Sequence, residues 1–87
     1  MRVLWALTAW REYVALQPSD DATKINELIE DICRDPAGKG MGKPERLKGA
    51  LSGWSSRRVT REHRLVYRVY GVGDQQTLEI LRCTGHY

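Results

Sequence analysis

The hydrophobic pattern of the N-terminal 36 residues predicts one strand and two helices. Residues 2–7 carry apolar side chains on both sides of an alternating pattern, which is typical of a strand in the interior of a sheet. Thr8 is a suitable N-cap for a first helix, which Pro18 ends. A second helix begins in the acidic segment 19–21 and ends at residues 35–36. Its apolar face consists of Ile25, Leu28, Ile29, Ile32 and Cys33.

The segment that follows the second helix is predicted to be a basic loop. Residues 37–43 read AGKGMGK, and three glycines with two lysines are typical of a mobile connection rather than of a regular element. Pro44 favours the start of a single helical turn over residues 45–48, which Gly49 would end. In such a turn Glu45 and Lys48 share one face.

Three strands are predicted in the C-terminal half, at residues 54–59, 63–69 and 77–83. Because short connections join them, we expect an antiparallel meander. Alternation places Leu65, Tyr67 and Val69 on the side that meets the helices. The predicted fold class is therefore α+β, in the order β-α-α-β-β-β, with both helices on one face of a mostly antiparallel twisted sheet.

Length and composition are consistent with one small folded domain over residues 1–87. The chain is 41% hydrophobic and 29% charged, which is typical of a globular protein. No apolar run approaches the roughly 20 residues that span a bilayer, and residues 3–7 are too short for the apolar region of a signal peptide. We therefore expect a cytoplasmic protein without membrane contact, with Cys33 and Cys83 as free thiols.

Charge is distributed unevenly along the chain, although the net value is only +3. Residues 1–35 carry four Lys/Arg against seven Asp/Glu, whereas residues 36–87 carry ten against four. Between Lys39 and Arg68 there are nine cations and two anions, Glu45 and Glu62. This density favours a polyanionic partner through counterion release, although a solvated basic face would show the same pattern.

The basic half contains residue types that can cleave RNA without a metal. This reaction requires a base for the 2′-hydroxyl, cations for the phosphate, and an acid for the leaving oxygen. Glu45 lies among lysines and arginines, and His86 follows the last predicted strand. Each has a plainer interpretation, since Glu45 can be a surface ion pair and His86 a solvated side chain. His63, the other histidine, more simply belongs to a hairpin.

A metal or covalent mechanism is not indicated. The two histidines have no cluster of Asp or Glu beside them, so no zinc or two-metal site is predicted, and no cofactor is expected. No Ser or Cys lies in a known nucleophile motif. Considered alone, the residues predict a basic α+β domain that binds nucleic acid through a patch at Arg57, Arg58, Arg61 and Arg64.

Residues 42–69, GKPERLKGALSGWSSRRVTREHRLVYRV, resemble the central signature of the YoeB/Txe toxins of the RelE superfamily. The shared elements are Lys-Pro-Glu, Leu-Lys, Leu-Ser-Gly, a paired Arg-Arg and Glu-His-Arg-Leu-Val-Tyr, in this order. Residues 5–13 and 24–29 and the terminal His86-Tyr87 extend the similarity to nearly the whole chain. A signature of this length is far more specific than a single short motif.

The resemblance implies a RelE-like fold and an endoribonuclease that enters the ribosomal A site. Such an enzyme cuts the bound mRNA and leaves a 2′,3′-cyclic phosphate or a 3′-phosphate. The implied partners are mRNA, the ribosome and an antitoxin of the YefM/Axe type, with operator DNA bound only through the toxin–antitoxin complex. A homodimer remains open.

The resemblance also implies individual roles. By matching position Glu45 is the general base, His86 the general acid and Arg64 the main stabiliser of the phosphorane charge. Lys48 and Arg58 match residues that hold the scissile phosphate, and Tyr87 matches the residue that orients the nucleotide. Lys43, Arg57 and Arg61 complete the expected substrate-binding set.

Ser55 and the dipeptide Thr84-Gly85 depart from the family pattern, and two other functions remain open. Ser55 stands where relatives commonly carry a second aromatic residue, and Thr84-Gly85 stands where many have Arg-Tyr. One alternative is a basic module that binds nucleic acid or the ribosome, or helps an antitoxin to repress its operator, without cleavage. The other is an inactive relative retained for complex formation.

Overall fold

The elements follow one another in the predicted order, with one additional strand. The computed structural model describes residues 1–85, which form two helices and five strands. The helices are α1 (Leu7–Ala15) and α2 (Asp20–Arg34). The strands are β1 (Arg2–Trp5), β2 (Glu45–Arg46), β3 (Ser55–Arg58), β4 (Arg64–Tyr70) and β5 (Thr77–Arg82).

The five strands form one mixed sheet in the order β1-β5-β4-β3-β2. Strands β2 to β5 pair in antiparallel fashion, which confirms the predicted meander. Strand β1 pairs parallel to β5. A parallel pair requires a crossover connection, and the two helices lie on the chain between these strands.

Both helices pack on one face of this sheet. The buried core joins Ala9 of α1 and three apolar residues of α2 to Leu65 and Tyr67 of β4 and to Leu78 and Ile80 of β5. Val69 packs against the same cluster, so the predicted inward side of β4 is confirmed. We call this side of the sheet the covered face and the other side the open face. Cys33 and Cys83 are free thiols, as predicted.

Helix α2 begins as the sequence predicts. Ser19 is its N-cap and accepts a hydrogen bond from the backbone N–H of Ala22 at 3.1 Å. Asp20 and Asp21 occupy the first turn, where carboxylates interact favourably with the helix dipole. Within residues 1–85, neither helix has the length and apolar character needed to cross a membrane.

Two predictions for the N-terminal region were wrong. Strand β1 lies at the sheet edge rather than in its interior, and Val3 and Leu4 are 42% and 48% exposed. Its apolar residues gave no information on strand order, because the pairing with β5 joins residues more than 70 positions apart. Helix α1 starts at Leu7, with Ala6 rather than Thr8 as N-cap, because the Ala6 carbonyl already accepts the N–H of Trp10.

The helical turn predicted for residues 45–48 was also wrong. Glu45 and Arg46 form β2, which pairs with β3. The backbone N–H of Leu47 continues this pairing with a 2.9 Å bond to the carbonyl of Trp54. The sheet therefore satisfies the backbone groups that a single isolated helical turn would leave free. Glu45 and Lys48 consequently do not share a helix face.

Candidate active site

The strand register places Glu45 on the open face of the sheet. Glu45 lies opposite Ser56 of β3, and Ser56 lies opposite Val66 of β4. Directly opposed residues in antiparallel strands project to the same side of a sheet. Val66 is fully buried but lies outside the core cluster, whereas its neighbours Leu65 and Tyr67 belong to that cluster. Glu45, Ser56 and Val66 therefore share the face that the helices leave open.

Two arginines lie on the same face, one step further along the strands. Arg58 is two residues beyond Ser56 and is paired with Arg64 across β3 and β4. Side chains of opposed residues start about 5 Å apart, and diagonal neighbours such as Glu45 and Arg58 about 7 Å apart. A carboxylate and two guanidinium groups thus project from neighbouring positions of the same face.

The open face contains buried polar atoms with free hydrogen-bonding capacity. Among residues 1–85, three buried polar atoms have no hydrogen-bond partner, namely Ser56 Oγ and Arg64 Nη1 on this face and Arg57 Nη2 on the covered face. A buried donor without a partner is costly, so such atoms are uncommon in folded proteins. A guanidinium nitrogen in this state favours an acceptor such as a phosphate oxygen.

The end of the described chain lies against the same arginine. The backbone N–H of Arg64 donates to the carbonyl of Gly85 at 3.0 Å, and the Gly85 N–H donates to Nδ1 of His63 at 3.0 Å. His63 therefore has a structural role at the end of the hairpin, in agreement with the plainer interpretation. His86 and Tyr87, the expected acid and the expected nucleotide-orienting residue, lie outside the described residues.

Glu12 of α1 holds the preceding residues from the covered side. Its carboxylate accepts bonds from the backbone N–H of Cys83 at 2.9 Å and from the Arg82 guanidinium at 2.6 and 2.7 Å. Burial acts to raise the pKa of Glu12, but bonds from Arg82, Cys83 and Thr84 together hold this pKa below its ordinary value. The segment that leads to the C-terminus is thus held by α1 at residues 82–83 and by residues 63–64 at Gly85.

Ion pairs divide the cations of the sheet into two groups. Arg68 pairs with Glu79 at 2.8 Å, and Arg82 pairs with Glu12. Within the part of the chain that the structure describes, Arg58 and Arg64 have no ion pair and keep their charge available. Lys43, Lys48 and Arg61 are exposed, the last in the turn between β3 and β4.

Arg57 differs from the other predicted substrate-binding residues. It was expected in a surface patch, but its side chain is fully buried on the covered face, opposite Leu65. Its Nη1 donates to Asp31 Oδ2 at 2.6 Å, and its Nε donates to the Tyr67 hydroxyl at 2.9 Å. Strand alternation explains the correction, because adjacent residues of a strand project to opposite faces.

The cavities found among residues 1–85 reach only part of the open site. A cavity of about 500 Å³ is lined by Arg46, Trp54 and Tyr67 together with the loop at residues 36–37, but by neither Arg58 nor Arg64. A second cavity, of about 220 Å³, is lined by Glu45 together with Pro44 and residues 36–39, whereas Lys48 and Arg58 lie on the exposed surface. Among residues 1–85, no group of three or more His, Cys, Asp or Glu side chains is placed to hold a metal ion.

Some contributing residues were not recognised from the sequence. Ser56 was assigned only to a turn and strand, and Asp31 and Glu12 were not considered. Asp31 had one visible signal, since it lies between the core positions Leu28 and Ile32 of α2. Glu12 had none, because its partners lie 70 and 71 positions away in the sequence.

Comparison with known proteins identifies the family. Residues 5–87 match the model of the YoeB-like toxins of bacterial type II toxin–antitoxin systems. The chain belongs to this family. The YoeB toxin of Escherichia coli K12 is 46% identical to it, and the match covers all of both chains.

Solved structures of YoeB proteins have the same fold. A YoeB/ParE toxin from Agrobacterium tumefaciens superposes with a TM-score of 0.92 at 47% identity over all of both chains. YoeB of Staphylococcus aureus, at 38% identity over 100% and 98% of the two chains, gives TM-scores of 0.84 and 0.85. One of these structures is a heterotetrameric YoeB–YefM toxin–antitoxin complex, and the other is a YoeB dimer. The predicted RelE-like α+β fold is thereby confirmed.

Proposed function

We propose that this YoeB-family toxin is a metal-independent endoribonuclease that cleaves mRNA in the ribosomal A site and so inhibits translation. One observation carries the proposal. The sheet register brings the Glu45 carboxylate to the same open face as Arg58 and Arg64, which have no ion pair among residues 1–85. These residue types supply the base and the charge stabilisation that the reaction requires.

The reaction follows from these roles. Glu45 accepts the proton of the 2′-hydroxyl, and the oxygen attacks the adjacent phosphorus. Arg64 stabilises the extra negative charge of the phosphorane, while Lys48 and Arg58 hold the phosphate. The 5′-oxygen leaves with a proton from His86. The downstream fragment therefore begins with a 5′-hydroxyl, and the upstream fragment ends in a 2′,3′-cyclic phosphate.

The position of Gly85 supports the assignment of the acid. Gly85 is bonded to the backbone of Arg64 and directly precedes His86 in the chain. Tyr87 is assigned to orienting the nucleotide, and Lys43 and Arg61 to binding the RNA backbone. Arg57 is no longer included in this set, because its guanidinium is buried.

The ribosome is the proposed source of substrate geometry. A glutamate carboxylate is a weak base at neutral pH, so the rate depends strongly on an in-line arrangement of the 2′-oxygen and the leaving group. Message held in the A site has a fixed conformation, whereas free RNA does not. Cleavage of free RNA as fast as of ribosome-bound message would contradict this part of the proposal.

The partners are proposed from chemistry and from relatives. An antitoxin of the YefM type would neutralise the open basic face in the cytoplasm, as suggested by the S. aureus YoeB–YefM complex. Operator DNA would then be bound through the toxin–antitoxin complex. A homodimer is proposed on the basis of the S. aureus YoeB dimer.

The deciding experiment compares Glu45→Gln, His86→Gln and the parent on purified ribosomes programmed with a defined message. Mapping of 5′ ends should show a discrete cut for the parent, and both variants should cut about 10²- to 10⁴-fold more slowly. Both should bind the ribosome like the parent, because the cations are unchanged. If His86→Gln still inhibits translation fully without cleavage, the protein acts as a binding module instead.

A further inference from the structure

Arg57 is a fully buried cation that the proposed reaction does not use. Its Nη1 donates both to Asp31 Oδ2 at 2.6 Å and to the backbone carbonyl of Met41 at 3.2 Å. Its Nε donates to the hydroxyl of Tyr67. Removing a guanidinium from water is unfavourable, and a hydrophobic pair of similar volume often serves stability as well. The placement of Arg57 therefore suggests a role besides stability.

Asp31 contacts the backbone of the same residue, Met41. Its Oδ2 accepts the backbone N–H of Met41 at 3.2 Å as well as the Arg57 bond. The hydrogen bond from Arg57 is the largest influence on this carboxyl and holds the pKa of Asp31 below its ordinary value. Asp31 and Arg57 thus bind both polar groups of the Met41 backbone, its N–H and its carbonyl.

Gly42, the next residue, is also held tightly by its neighbours. The Gly42 carbonyl accepts the backbone N–H of Arg58 at 2.6 Å. Gly42 has a φ of +80°, and a Cβ there would lie 2.8 Å from Leu28 Cδ2 and 3.0 Å from Arg57 Cβ. The loop at residues 41–42 therefore has little freedom to shift relative to β3.

This loop leads directly into the strand that carries Glu45. Strand β2 is only two residues long and lies at the sheet edge, so its own pairing with β3 fixes it weakly. The Leu47–Trp54 bond holds its far end. At its near end, only Lys43 and Pro44 separate Glu45 from the contacts at Met41 and Gly42.

We propose that Asp31 and Arg57 are positioning residues that set the location of Glu45 relative to Arg58 and Arg64. The proposal rests on the proposed function, since it assigns a purpose to the placement of the base. The adjacent arginines then have separate tasks. Arg57 directs the loop that delivers Glu45, and Arg58 faces the phosphate.

The test uses Asp31→Asn and Arg57→Lys in the full chain, assayed on programmed ribosomes. A displacement of the base by about 1 Å lowers a rate by roughly 10²-fold, so we expect cleavage at saturating ribosome to be about 10- to 100-fold slower. The ribosome concentration at half-maximal rate should change less than about threefold, because Arg58 and Arg64 are retained. A purely structural role would lower the active fraction without changing the rate of the folded molecules, which a single-turnover measurement separates.

Glu79→Gln and Arg68→Lys are matched controls. They change a second carboxylate–arginine pair, 2.8 Å apart, that joins β4 to β5 on the open face. Both controls should cleave like the parent. Equal losses in the control pair and in the Asp31–Arg57 pair would overturn the positioning role.

Amide hydrogen exchange gives a readout that does not depend on activity. In Asp31→Asn the amide of Arg58, which bonds Gly42, should exchange at least tenfold faster, while that of Leu65 in the core should be unchanged. If Asp31→Asn or Arg57→Lys does not fold, Gly42→Ala replaces it, since it displaces the loop and retains the ion pair. Parent-like cleavage by whichever variant folds would overturn the proposal.

Glu45→Gln separates this proposal from the proposed function. If Glu45→Gln is inactive and the Asp31 variant cleaves at the parental rate, only the positioning role fails. If Glu45→Gln itself cleaves normally, the assignment of the base fails, and the positioning role fails with it.

Discussion

The two faces of the sheet use the same residue type in opposite ways. On the covered face Arg57 is buried and bonded to Asp31, Tyr67 and the Met41 carbonyl. One residue later, on the open face, Arg58 is exposed and lies beside Arg64, which has an unpartnered Nη1 within the described chain. Identical side chains at adjacent positions therefore differ in burial and in bonding partners, because strand alternation decides which face each one reaches.

The largest effect that would separate the two faces is expected from Arg64→Met. Loss of a preorganised donor to the transition state should slow cleavage about 10²- to 10³-fold. The free energy of unfolding should change by less than about 1 kcal/mol, because no ion pair is broken. Single-turnover cleavage and urea denaturation of the same preparation test both statements. Cleavage by Arg64→Met at the parental rate would contradict the catalytic role proposed for the open face.

An arginine-to-methionine substitution on the covered face should instead lower the stability of the fold. Arg57→Met leaves Asp31 without its partner and should lower the free energy of unfolding by about 3 kcal/mol. Arg58→Met, its matched control one position away, should lower it by less than about 0.5 kcal/mol. Urea denaturation gives both values, from the shift of the midpoint when the slope of the free energy against urea concentration is unchanged. Equal destabilisation at the two positions would show that the faces do not differ in this way.

A smaller effect tests the Arg57 network without altering charge. Tyr67→Phe removes the hydroxyl that accepts the Nε bond at 2.9 Å and leaves a buried charged donor unpaired. The free energy of unfolding should fall by about 1–2 kcal/mol. Tyr70→Phe on the open face is the control, since the Tyr70 ring is 44% exposed. A loss at Tyr70 equal to that at Tyr67 would contradict the assignment.

Periodic patterns predicted most of the fold, because they depend only on local sequence. The apolar spacing of α2, its start in the acidic segment 19–21 and the alternation of β4 agree with the structure. The edge position of β1 was not predictable in this way, since it depends on pairing with β5. The two-residue β2 was missed because its pairing partner, and not its own composition, makes it a strand.

The candidate site was predicted less completely than the fold. The resemblance marked Glu45, Arg58 and Arg64, and the register places them on one face. The resemblance could not show that Arg57 is buried, because a paired Arg-Arg motif does not indicate which residue faces inward. Once β3 is aligned with β4, the position of Arg57 opposite the core residue Leu65 assigns it to the covered face.

The smallest expected effect concerns pH and the contact between the covered side and the C-terminal segment. The pKa of Glu12 is lowered in the folded state because the bonds from Arg82, Cys83 and Thr84 outweigh its burial. A lowered folded pKa contributes stability that is fully present above the unfolded value, near 4.3, and is lost as pH falls through the folded value. We therefore expect Glu12→Gln to be less stable than the parent at pH 7, with a difference that shrinks as the pH falls below about 4.3.

Urea denaturation of the parent and Glu12→Gln from pH 7 to pH 3 measures this difference. The lowered pKa of Asp31 makes both proteins less stable in acid, but it acts equally on the two and cancels in the comparison. If the difference in free energy of unfolding between the parent and Glu12→Gln stays constant to pH 3, the charge of Glu12 contributes nothing to stability. The contact between the covered face and the C-terminal segment would then not depend on the charge of Glu12, and acid would not weaken it.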